Sequence, residues 1–125
     1  MISWNSPIFA SEIAHEVRQI YIMQIQSGRD AWTAMETVMN LYQSKERSKE
    51  TAPIFWLSLA AAQLECHHIL PEVRSQALAW INQMLSVPEE TLPADNDEDI
   101  SACLRDICAL KCWILCEKTI LQHDS

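Results

Sequence analysis

The stretch Pro53-Ile54-Phe55-Trp56-Leu57-Ser58-Leu59-Ala60-Ala61-Ala62-Gln63-Leu64-Glu65-Cys66 decides the fold. Wound at about 100° per residue, its apolar side chains point to every side, the pattern of a helix enclosed by other elements rather than lying on a surface. Proline suits the first turn, where its missing N–H would have had no intrahelical partner. Ile54, Phe55, Trp56, Leu57, Leu59 and Leu64 supply bulk, and Ala60, Ala61 and Ala62 let neighbouring helices come close. Only Ser58 and Glu65, seven residues apart and so on one face, hint at water.

Outward from this centre the chain reads as further helices. On the N-terminal side, Ser11 is a plausible N-cap, and Ile13, Val17, Ile20, Tyr21 and Ile25 share one side of a helix that runs to about Gln26, where Ser27-Gly28 supplies a left-handed stop. Ile22 and Met23 fall outside that stripe. Asp30 caps a second helix with Trp32, Met35, Val38, Met39 and Tyr42 inward and Thr33, Glu36, Thr37 and Asn40 outward. A mixed-charge linker, Ser44 to Thr51, leads to the central helix.

On the C-terminal side, Pro71 opens a fourth helix whose apolar side carries Val73, Ala77, Leu78, Trp80, Ile81, Met84 and Leu85. Pro88 and Pro93 bracket an irregular acidic loop. A final helix from about Glu98 to about Leu121 has Ile100, Cys103, Leu104, Ile107, Leu110 and Ile114 as its core stripe. Ala102, Ala109, Trp113 and Ile120 cluster on another side, to be covered either by neighbouring helices or by a partner. The fold expected is all-α: a single domain over residues 1–125, a compact bundle of about five helices around a buried central one.

A chain of 125 residues can bury a core without metal or disulfide. Its single glycine, Gly28, argues against phosphate-cradling loops and dinucleotide turns, which need positive φ at several positions. The opening residues lack a basic region followed by an apolar run, and no apolar run approaches the roughly 20 residues that span a bilayer. The expectation is a cytoplasmic protein with no membrane association, whose five cysteines are reduced thiols.

Cys108, Cys112 and Cys116 recur every four residues along one helix flank, but structural zinc normally takes four ligands, often from C-x2-C pairs absent here. They read as small core hydrophobes, with no metal and no cofactor expected. His67 and His68 diverge by about 100° and read as a solvated helix end. Glu12 and Glu16 read as a solvated helix face, since neither a Glu-x-x-His nor a second carboxylate helix accompanies them. No nucleophile stands beside a base with oxyanion donors, so no catalytic residue is assigned.

Net charge is −8, and six of the carboxylates, Glu89, Glu90, Asp95, Asp97, Glu98 and Asp99, fall in one segment free of lysine and arginine. That balance argues against nucleic acid as a partner, because a phosphate backbone requires a basic patch, and it suits either a basic protein partner or a solvated loop that serves solubility.

Two islands carry a family resemblance. Trp4, Ile8-Phe9-Ala10-Ser11-Glu12, Ala14, Val17-Arg18 and Tyr21, with Phe55-Trp56-Leu57-Ser58-Leu59-Ala60-Ala61-Ala62-Gln63 and Leu70-Pro71-Glu72-Val73, resemble a widespread family of small uncharacterised bacterial proteins. Its members read I-F-x-[SD]-[DE] near the start and F-W-L-x-L-A-x-x-Q in mid-chain. The likeness spans roughly residues 4 to 85, and His67-His68 stands where those relatives often carry glycine. The resemblance implies a bacterial helical module and brings no activity with it.

Joined to charge, that context points to a non-catalytic acidic binding module: an immunity protein that neutralises a basic, nuclease-type toxin by stoichiometric binding. The acidic segment would steer or dock the partner, and Trp113 with an exposed apolar pair, Ile22 and Met23, would anchor it. The alternatives are a thiol-based metal or redox sensor, or a regulatory or scaffold interaction domain.

Overall fold

The computed structural model describes residues 12–43, 51–86 and 97–116, and for 97–100, 102 and 103 the backbone alone. Five helices span most of these residues: α1 (Glu12–Gln26), α2 (Ala31–Leu41), α3 (Ala52–Glu65), α4 (Pro71–Ser86) and α5 (Asp97–Cys116). The all-α bundle follows from the periodicities, and α3 is its centre. It packs against α1, α4 and α5, while α2 leans on α1 and α5 on α4.

From Phe55 to Leu64 every residue of α3 is buried, Trp56 being only 5% exposed. At roughly 25 cal/mol per Å² of apolar surface, a helix covered on all sides is the largest single source of stability available to this chain. Pro53 sits at the second position of α3, after Ala52, and the preceding Thr51 makes no side-chain cap. Asp30 does cap α2, its Oδ1 accepting from Thr33 N at 2.8 Å.

The ends of α1 and α3 close in the same way. After α1, Arg29 N donates to Gln24 O at 3.1 Å and Gly28 N to Ile25 O at 3.0 Å, with Gly28 at φ +93°. After α3, His68 N donates to Gln63 O at 3.1 Å and His67 N to Leu64 O at 2.9 Å, with His67 at φ +67°. Both are Schellman closures, in which one left-handed residue lets two terminal carbonyls find donors. At the second, histidine holds the position that glycine fills without steric cost.

Several sequence expectations need correction. Ser58 is fully buried, not turned to water, because α3 has no wet side in its middle. Leu85 is exposed, at 38%, although it falls on the apolar side of α4. Ile22 is half-buried, so only Met23, at 54%, is an exposed member of that pair. Of the two alternatives left open for the second side of α5, Trp113 follows the first, packing on the core, and like Ala109 it is half-buried. Cys108, Cys112 and Cys116 are exposed rather than part of the core, because they lie on the side of α5 away from the buried Ile107, Leu110 and Ile114.

Candidate functional site

Two places gather the functional side chains: the junction of α1 with the end of α3, and the outer face of α5. The junction is built by register. Arg18 meets Glu65 and Tyr21 meets His68, each pair 47 residues apart, so partners advance together along parallel α1 and α3. Arg18 Nε donates to Glu65 Oε1 at 2.7 Å and Nη2 to Oε2 at 3.3 Å, a two-toothed pair that holds the guanidinium further above its ordinary pKa. With side chains 39% and 25% exposed, such a pair contributes less than about 1 kcal/mol, so it orients the helices more than it stabilises them.

Tyr21 Oη and His68 Nε2 share a short hydrogen bond of 2.5 Å, and their rings lie tilted with centroids 5.8 Å apart. Burial, followed by the nearby Cys66 thiol, raises the Tyr21 phenol well above the ordinary tyrosine range. The Gln63 amide lies close enough to oppose that rise, yet its Nε2 makes no hydrogen bond of ordinary geometry. Gln63 Oε1 is engaged, accepting from Leu70 N at 2.9 Å and fixing the chain as it leaves α3. Cys66 is half-buried, and desolvation pushes its thiol up as well.

One further staple joins α1 to the end of α2: Tyr42 Oη donates to Glu16 Oε1 at 2.6 Å. Burial and this carboxylate push the Tyr42 phenol up to about 12. Glu16 is therefore half-buried and engaged, a correction to its reading as a solvated carboxylate, and half-buried His68 likewise departs from the solvated end expected of it. A nucleophile is activated by a lowered pKa or an adjacent base. Tyr21 and Cys66 are moved the opposite way by burial, although His68 Nε2 stands beside the Tyr21 hydroxyl.

The candidate partner-binding residues divide. Glu89, Glu90 and Asp95 lie outside the described residues; Asp97, Glu98 and Asp99 form the backbone of the first turn of α5. Negative charge at a helix start is favourable to the helix itself through the peptide dipoles. Met23 and Ile22 stand on α1 and Trp113 on α5, and these helices are not principal packing partners of one another.

The outer face of α5 carries Ser101, Arg105, Cys108, Cys112, Leu115 and Cys116, all exposed. On its flank Lys111 Nζ donates to Asn82 Oδ1 at 3.0 Å, tying α5 to α4. Among the described residues no helix is long and apolar enough to cross a membrane. Sequence reasoning treated Tyr21 as a core residue and did not foresee its tie to His68 or that of Arg18 to Glu65. Their common offset of 47 has meaning only once α1 and α3 are known to lie side by side.

No family model, no curated protein and no solved structure matches this chain.

Proposed function

We propose that the protein is a non-catalytic bacterial immunity protein that acts in the cytoplasm, neutralising a basic, nuclease-type toxin by stoichiometric binding. The observation that carries this reading is the placement of charge: Glu89, Glu90, Asp95, Asp97, Glu98 and Asp99 lie between the end of α4 and the first turn of α5 with no lysine or arginine among them, in a chain of net charge −8. An enzyme that acts on nucleic acid must attract phosphate and tends to be basic, and an acidic inhibitor uses that same charge for fast, selective association. Support of a second kind comes from the bacterial family that the two sequence islands resemble. Of the three candidate anchors Met23 is the most exposed, at 54%, and Ile22 and Trp113 offer the parts that their neighbours leave uncovered.

The test is to express the reading frame adjacent to this gene with and without it. Toxicity alone and rescue on co-expression are expected; a harmless neighbour, or one lethal despite co-expression, refutes the reading. With the toxin domain in hand, reversing Asp95, Asp97 and Glu98 to lysine should slow association and flatten its dependence on salt, with circular dichroism checking that the variant still folds despite the charge reversal at the start of α5.

A further inference from the structure

The three thiols of α5 are oddly placed. Free cysteine is among the most buried of residue types, yet Cys108, Cys112 and Cys116 are all exposed and follow one another at four-residue steps on one face. Side chains four apart on a helix are neighbours, with Cβ atoms about 5 to 6 Å from each other. That spacing is too wide for a disulfide, which holds its Cβ atoms at about 3.5 to 4.5 Å. It suits a bridging ion. With thiolate–metal bonds of about 2.3 Å, one ion in line between two sulfurs spans about 4.6 Å, a separation the two rotatable Sγ atoms reach without disturbing the helix.

The ligand count then selects the ion. Among the described residues no three His, Cys, Asp or Glu side chains converge as a metal-binding group, which disfavours tetrahedral zinc. Soft thiolates favour Cu(I), and two of them satisfy it. We propose that Cys112, paired with Cys108 or with Cys116, is a two-thiolate capture site for Cu(I) on the outer face of α5. Each ion bound displaces two protons, one from each thiol. The resulting complex carries one negative charge, and the exposed Arg105, three residues before Cys108 on the same face, stands where it can offset it. The site is independent of toxin neutralisation and stands or falls separately.

The placement makes a sharp prediction, because Cys108 and Cys116 are about 12 Å apart along the axis and cannot share an ion without Cys112. Reduced protein, free of oxygen, is titrated with Cu(I) against a bicinchoninate chelator and weighed by native mass spectrometry. One Cu(I) per chain is expected, retained in Cys108→Ser and in Cys116→Ser, and lost in Cys112→Ser and in the double variant Cys108→Ser/Cys116→Ser. Cys66→Ser and Cys103→Ser should retain it. Absence of stoichiometric binding overturns the proposal, as does retention in Cys112→Ser or an ion found only in dimers. Circular dichroism of each variant checks folding, and substitutions on an exposed face leave it intact.

Discussion

α3 and α5 are both long, apolar-rich helices, and the bundle treats them in opposite ways. α3 is enclosed by α1, α4 and α5, so its middle has no outward side. Among the described residues α5 packs chiefly on α3 and α4: Ile107, Leu110 and Ile114 are fully buried while Leu115, next in the chain to Ile114, is 54% exposed. The difference teaches that an apolar residue count says little about burial. Neighbours decide it, and a helix with neighbours on one side leaves part of its apolar surface to other uses.

The largest effect that separates the two belongs to Trp56. Trp56→Ala removes an indole that packs edge-on against Phe55, ring centroids 5.2 Å apart, from a site open on no side. It should cost on the order of 3 to 5 kcal/mol, read from the midpoint of urea unfolding. A cost under about 1 kcal/mol would show that the centre of the bundle is not where it is placed here.

Alkaline pH probes the junction that holds α1 against its neighbours. The Tyr42 phenol rises from 10.0 to about 12 on folding, and Tyr21 rises further. A raised folded pKa means that the unfolded chain loses its proton first. The stability these phenols contribute is therefore complete below pH 10 and is lost as pH climbs through about 12. The midpoint of thermal unfolding should fall across that window, and Tyr42→Phe should make the fall shallower. An unchanged slope in Tyr42→Phe would mean that Tyr42 ionises as freely folded as unfolded.

Within α3 one substitution should act in the opposite direction to Trp56→Ala. Ser58 Oγ is buried with no hydrogen-bond partner among the described residues. An unmade hydrogen bond costs about 1 to 3 kcal/mol in desolvation, so Ser58→Ala, which deletes the hydroxyl and little volume, should stabilise the protein by about 1 kcal/mol. Destabilisation would reveal a partner for that hydroxyl. A gain of about 0.5 to 1 kcal/mol is expected of His67→Gly, which relieves the left-handed strain that Gly28 avoids at the matching closure. The control is Gly28→Ala: nothing lies within 4 Å of a Cβ placed there, so any loss measured is backbone strain alone.

The architecture was legible because periodicity, Pro71, Asp30 and Gly28 act within a few residues of where they stand. The acidic segment was legible as charge, though Glu89, Glu90 and Asp95 lie outside the described residues. Cysteine misled because it is chemically both a core residue and a reactive thiol. A signal was nevertheless present: at about 100° per residue, Cys108, Cys112 and Cys116 fall opposite Ile107, Leu110 and Ile114. Ser58 could not mark a wet face on a helix that has none. The ties of Arg18 to Glu65 and Tyr21 to His68 depend on helix register, which no local pattern contains.

The smallest effect sharpens the comparison most, because it is read from two adjacent residues of α5. Leu115→Ser changes a side chain that is already 54% exposed, and surface substitutions of this kind usually stay within about 0.5 kcal/mol. Ile114→Ser, one position earlier, empties a fully buried site and places a hydroxyl in it, so it should cost several times as much, about 3 kcal/mol or more. The contrast depends only on which neighbours α5 has. If both substitutions prove costly, a surface outside the described residues, or a second molecule, covers Leu115 and with it the adjoining Cys112 and Cys116. Repeating the Leu115→Ser measurement across a tenfold range of protein concentration separates those two cases, since only cover by a second molecule weakens on dilution.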